Sequence, residues 1–87
     1  MQKTNWQPHM APGMRLQFEP AQDTWVLLYP EGMVKLNPSA SAILQRCNGK
    51  HTTDGIVADL EAVFSTTGIA PQVVDLLKEG VRRGWIV

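Results

Sequence analysis

A single cysteine, Cys47, is all the sulfur nucleophile the sequence offers. One thiol forms no internal disulfide, which points to a reducing compartment. Its only histidines, His9 and His51, sit in different segments, and neither lies at zinc-site spacing from Cys47. Charge of one sign is missing too. Eight Lys+Arg balance eight Asp+Glu, so no global field gathers nucleic acid or an acidic membrane surface. No apolar run approaches the ~20 residues of a membrane span. The first residues lack the charged-then-apolar layout of a signal peptide. Paired carboxylates and a glycine-rich phosphate loop are also absent. These gaps exclude metal, cofactor and acid–base chemistry as first choices and leave a cytoplasmic, soluble binding protein that is not an enzyme.

What is present is one small domain. At 87 residues, 44% of them hydrophobic, such a chain buries roughly 60–65% of its unfolded surface, enough for one core. Residues 1–14 show no period and carry Pro8, Pro12 and Gly13, so they read as a flexible N-terminal arm. Trp6, Met10 and Met14 within it leave docking on itself or on a second chain open, and with it a homodimer. The domain proper spans 15–87.

Three short runs follow the arm. Arg15–Glu19 alternates, with Leu16 and Phe18 on one face. Thr24–Tyr29 is rich in aromatic and branched residues and stops at Pro30. Residues 33–36 follow the turn Tyr29-Pro30-Glu31-Gly32. The spacing predicts an antiparallel meander, and its last strand is an edge with unpaired backbone groups. Lys35 on that strand serves either to blunt the edge or to meet an acidic partner.

Three helices supply the cover the sheet needs. Asn37-Pro38 starts the first, with Ala40, Ile43, Leu44 and Cys47 on one stripe and Asn48-Gly49 ending it. The second runs over about 53–64, with Ile56, Leu60, Val63 and Phe64 as its stripe. Pro71 opens the third, which lasts to Arg83, and the apolar tail Trp85-Ile86-Val87 is expected to pack. The result is an α+β, winged-helix-like domain, a three-stranded meander followed by three helices.

The third helix has an unusually wide apolar arc. At ~100° per residue, Val73, Val74, Leu76, Leu77, Gly80 and Val81 spread over roughly 160°, wider than one contact needs. Either the helix is deeply buried or half the arc lines a groove. A mid-helix glycine tilts the balance to a groove, because close approach of another backbone offsets its cost of about 0.5–1 kcal/mol. A DNA-reading helix would need a basic face, but Asp75 and Glu79 offset Lys78, Arg82 and Arg83.

Arg15-Leu16, Trp25-Val26-Leu27-Leu28-Tyr29-Pro30-Glu31-Gly32, Leu36-Asn37, Ile43-Leu44, Cys47-Asn48-Gly49 and Gly84-Trp85 together resemble the PqqD family of pyrroloquinoline quinone (PQQ) biosynthesis. The resemblance covers residues 15–87. It implies a peptide chaperone, the stand-alone form of the RiPP recognition element. Such a module binds the precursor peptide PqqA and presents it to the radical SAM enzyme PqqE, which crosslinks a glutamate to a tyrosine. It further implies a leader peptide added as a strand beside Met33, Val34, Lys35 and Leu36. The groove would be shared with Val73, Leu76, Leu77 and Gly80, and Lys78 and Arg82 would serve as rim charges. The rival readings are a winged-helix nucleic-acid-binding regulator and a carrier of finished PQQ.

Overall fold

The structure is a computed structural model, and it describes residues 6–87. Strands β1 (Arg15–Glu19), β2 (Thr24–Tyr29) and β3 (Gly32–Leu36) precede helices α1 (Pro38–Gln45), α2 (Thr53–Val63) and α3 (Ala70–Arg82). The sheet is an antiparallel meander in the order β1-β2-β3. Its register sets Leu27 between Leu16 and Val34, and Trp25 between Phe18 and Leu36. Side chains alternate faces along a strand, so these residues share the face that α1 covers. Leu27 is fully buried there with Ile43, Leu44, Ile56 and Leu60. The α+β class and the six elements are those the sequence predicts.

α1 begins as its sequence dictates. Asn37 Oδ1 accepts from the Ala40 amide at 2.7 Å, and Pro38 takes the first turn. Asn37→Ala should therefore lower stability by about 1 kcal/mol, measurable by urea denaturation. The helix ends at Gln45, short of the expected Asn48. The amides of Arg46 and Cys47 bond to Ile43 and Leu44, a tightening of the last turn. The Arg46 guanidinium then donates to the Ala42 carbonyl at 2.8 Å and to Asp59 at 2.5 Å, fastening α1 to α2.

α2 departs from its expected stripe. Ile56 and Leu60 are buried, but Val63 and Phe64 are 56% and 59% exposed. The helix stops at Val63, and Ser65 adopts a left-handed φ of 50°. The last two apolar residues of the stripe lie beyond the reach of the core.

The expected arm divides. Residues 1–5 lie outside the described residues, whereas Pro8 and Ala11 are buried. His9 and Val87 exchange backbone bonds at 3.1 and 2.9 Å, and the Ala11 amide donates to the Trp85 carbonyl at 2.9 Å. The Gly49 amide donates to Pro8 at 3.0 Å. This second half of the stretch clamps the apolar tail. The tail packs as expected, with Trp85 and Ile86 buried.

Candidate functional site

The open edge of β3 is defined by the turn before it. A two-residue connection, Pro30-Glu31, closes on the pair Tyr29–Gly32, and such a closing pair exchanges both backbone bonds. Alternation then directs Gly32, Val34 and Leu36 back to β2. The N–H and C=O groups of Met33 and Lys35 face away from the sheet. Among the described residues no strand pairs with that side. The Met33 and Lys35 side chains are exposed on the face opposite the helices, while Val34 and Leu36 pack into the core face.

The wide apolar arc of α3 splits three ways. Val73, Leu77 and Gly80 point inward and are buried. Leu76 forms one flank. With Val73 it borders a trough of about 460 Å³ whose far wall is Asn37 to Ala40, the junction of β3 with α1. Val74 and Val81 form the other flank, where with Lys78, Arg82 and Trp6 they line a separate cavity of about 390 Å³.

Several expected site residues therefore stand apart. Leu76, Val73 and the exit of β3 come together. Leu77 is core. Gly80 does not border the trough: a Cβ there would lie 3.1 Å from Ile86 Cγ1, and its carbonyl accepts from the Trp85 amide at 2.8 Å. The absent side chain admits the tail of the same chain. Lys78 and Arg82 sit on the flank away from the trough. Arg82 is also engaged already, with Nη2 at 2.6 Å from Glu79 Oε2, and Arg83 bonds the same carboxylate. Hydrogen bonds from Arg82 first and Arg83 second draw the Glu79 carboxyl down to about 2.

Sequence reasoning missed most of the trough lining, among it Asn37 to Ala40 on one side and Phe64, Ile69 and Gln72 on the other. Only the breaker Ser65-Thr66-Thr67-Gly68 signalled that Phe64 would leave the core stripe.

Comparison with known proteins adds to this geometry. The family described as Coenzyme PQQ synthesis protein D (PqqD) matches residues 24–86. The chain belongs to the PqqD family. Relatives named PqqA binding protein include one from Methylococcus capsulatus, 44% identical over 88% of this chain and 83% of that protein. Another, from Stutzerimonas stutzeri, is 49% identical over 91% and 87% of the two chains. The solution structure of the PqqD truncation of Methylobacterium extorquens PqqCD, described as a functional, stand-alone RiPP recognition element, matches with a TM-score of 0.77. That match covers 92% of this chain and 87% of that one at 24% identity, and it shows the fold.

The one thiol of this PqqD chain is poorly placed for chemistry. Cys47 is 2% exposed, and burial pushes its thiol up to about 11. The thiolate, the reactive form, is thus scarce at neutral pH. Ellman's reagent should react with the native protein only as fast as the domain opens, and at once in denaturant. Because the folded thiol titrates above the unfolded one, Cys47 adds no pH dependence below about 9. Stability should fall as pH rises from 9 toward 11, and Cys47→Ala should flatten that alkaline slope. No helix of the described residues is long and apolar enough to cross a membrane.

Proposed function

We propose that this chain is a non-catalytic peptide chaperone of PQQ biosynthesis. It takes the precursor peptide PqqA as a fourth strand against β3 and presents it to the radical SAM enzyme PqqE. The observation that carries this reading is the outward pair of N–H and C=O groups at Met33 and Lys35, on a strand that runs out at Asn37 into the wall of the Leu76 trough. The name PqqA binding protein borne by relatives over 40% identical supports it.

The physics of such a site is simple. Main-chain bonds along the edge grip an extended segment of almost any sequence, and alternate side chains supply selectivity. Peptide residues turned toward the helices reach the trough, and those turned the other way meet Met33 and Lys35. An acidic residue beside Lys35 adds only about 0–1 kcal/mol. Tethering a floppy peptide near an active site replaces diffusion with an effective concentration near millimolar. This chain makes and breaks no bond.

Isothermal titration with synthetic PqqA tests the reading. The expected result is one peptide per chain with a negative heat-capacity change from apolar burial. Amide shifts should concentrate at Met33 and Lys35. Absence of binding would overturn the proposal, and binding with the β3 amides unmoved would overturn strand addition.

A further inference from the structure

α3 begins without a cap of its own. Its N-cap position is Ile69, whose side chain makes no capping bond, and Pro71 follows in the first turn. The first amides of a helix need acceptors from somewhere. For the N-cap amide and the one before it, the acceptor comes from another helix. Glu61, in the last turn of α2, reaches eight residues forward, and its Oε2 accepts from the Gly68 amide at 2.9 Å and from the Ile69 amide at 3.4 Å. Its backbone carbonyl accepts from the Thr66 amide at 3.0 Å.

The loop it holds has little else to fix it. Ser65 and Gly68 both have positive φ, 50° and 78°, and residues 65–68 are exposed. A Cβ on Gly68 would meet nothing, so the loop is not wedged by packing at that point. Yet the same loop and the helix it starts build one wall of the trough, through Thr66, Ile69 and Leu76. The carboxylate also sits where a negative charge is favourable, at the positive end of α3.

We infer that Glu61 is a positioning residue of the peptide site: by holding the loop at the entry to α3, it sets the distance between the Leu76 wall and the β3–α1 junction. This rests on the peptide-binding reading above. A charge-assisted bond to backbone amides is stronger than a neutral one. A binding wall held by such a bond keeps its shape before the ligand arrives, which spares the ligand the ordering cost. Glu61 touches no peptide itself and acts through Ile69 and Leu76.

The test compares Glu61→Ala and Glu61→Gln with the native chain, at a temperature where all are fully folded. Two readouts are taken, hydrogen exchange at the Gly68 and Ile69 amides and affinity for synthetic PqqA. Glu61→Ala should speed exchange at both amides and weaken the peptide three- to tenfold. Glu61→Gln keeps an acceptor oxygen and should recover most of both. In the Glu61→Ala background, Leu76→Ala should lose much of its own effect on affinity, since coupled groups are non-additive. Faster exchange with unchanged affinity would overturn the inference and leave Glu61 a stability residue only. So would additive effects of Glu61→Ala and Leu76→Ala. A native chain that binds no peptide fails the earlier reading instead, while the exchange data still report whether Glu61 holds the loop.

Discussion

Gly80→Leu should unfold this domain far more readily than it should disturb any ligand. A Cβ at that position already lies 3.1 and 3.2 Å from Ile86 Cγ1 and Cδ1, closer than carbon atoms comfortably pack. Ile86 is poorly able to yield. It is 1% exposed, and the amides of Trp85 and Ile86 both donate to the Gly80 carbonyl. The tail is held from its other side by His9 and Ala11. Overpacking of this kind costs about 1–3 kcal/mol, and a leucine belongs at the upper end. At roughly 4–8 °C per kcal/mol for a domain of this size, the melting temperature should fall on the order of 10–20 °C. Gly80→Ala should lose less, because a helix-propensity gain of about 1 kcal/mol offsets part of the crowding. Pairing Gly80→Leu with Ile86→Ala should restore part of the loss, since one side chain then fills the space of the other. An unchanged melting temperature for Gly80→Leu, or strict additivity in the pair, would return Gly80 to an open groove.

The glycine shows where sequence and structure part. Its rarity in a helix interior correctly signalled close approach, but the approaching chain is the protein's own tail. Period and spacing carry no information on which of several distant segments fills a gap. The same limit applies to residues 8–14, whose lack of period hid a clamp made of backbone bonds to Val87 and Trp85. Backbone pairing is nearly blind to side-chain pattern. What was legible came from local chemistry: Asn37-Pro38 as a cap, Pro30 as a stop, and the alternation that puts Leu16, Trp25, Leu27 and Val34 on one face. Val63 and Phe64 continue the stripe of Ile56 and Leu60 to the end of α2, yet both stay exposed because the core does not extend that far along the helix. The α3 arc is as wide as its sequence predicts. Its division into a core line, a Leu76 flank and a Val74–Val81 flank depends on where α1 and α2 stand.

Lys35→Pro should weaken the precursor peptide by about fivefold to a hundredfold while leaving the fold intact, and Val34→Pro should do the reverse. The two residues are neighbours, but their amides face opposite ways. Pairing of Leu27 with Val34 in a bonded position aims the Val34 N–H at β2, and Lys35, opposite Val26 in a non-bonded position, aims its own outward. Proline at 35 therefore removes no bond from the sheet, and its fixed φ suits an edge strand. It deletes one bond to the peptide and leaves a peptide carbonyl unpaired, a loss of about 1–3 kcal/mol. Tenfold in affinity corresponds to about 1.4 kcal/mol. Proline at 34 leaves the Leu27 carbonyl without its donor inside the domain, so the same order of loss appears in folding stability. Lys35→Ala separates backbone from charge. It keeps the N–H, removes only a rim cation, and should change affinity less than about fivefold, in line with the 0–1 kcal/mol of an exposed pair. Titration calorimetry gives the affinities, and urea denaturation gives the stabilities. β1 is the sheet's other edge, where Leu16 and Phe18 aim their backbone groups outward by the same alternation. Phe18→Pro is therefore the control. A peptide that ignores Lys35→Pro and responds to Phe18→Pro binds along β1 instead of β3.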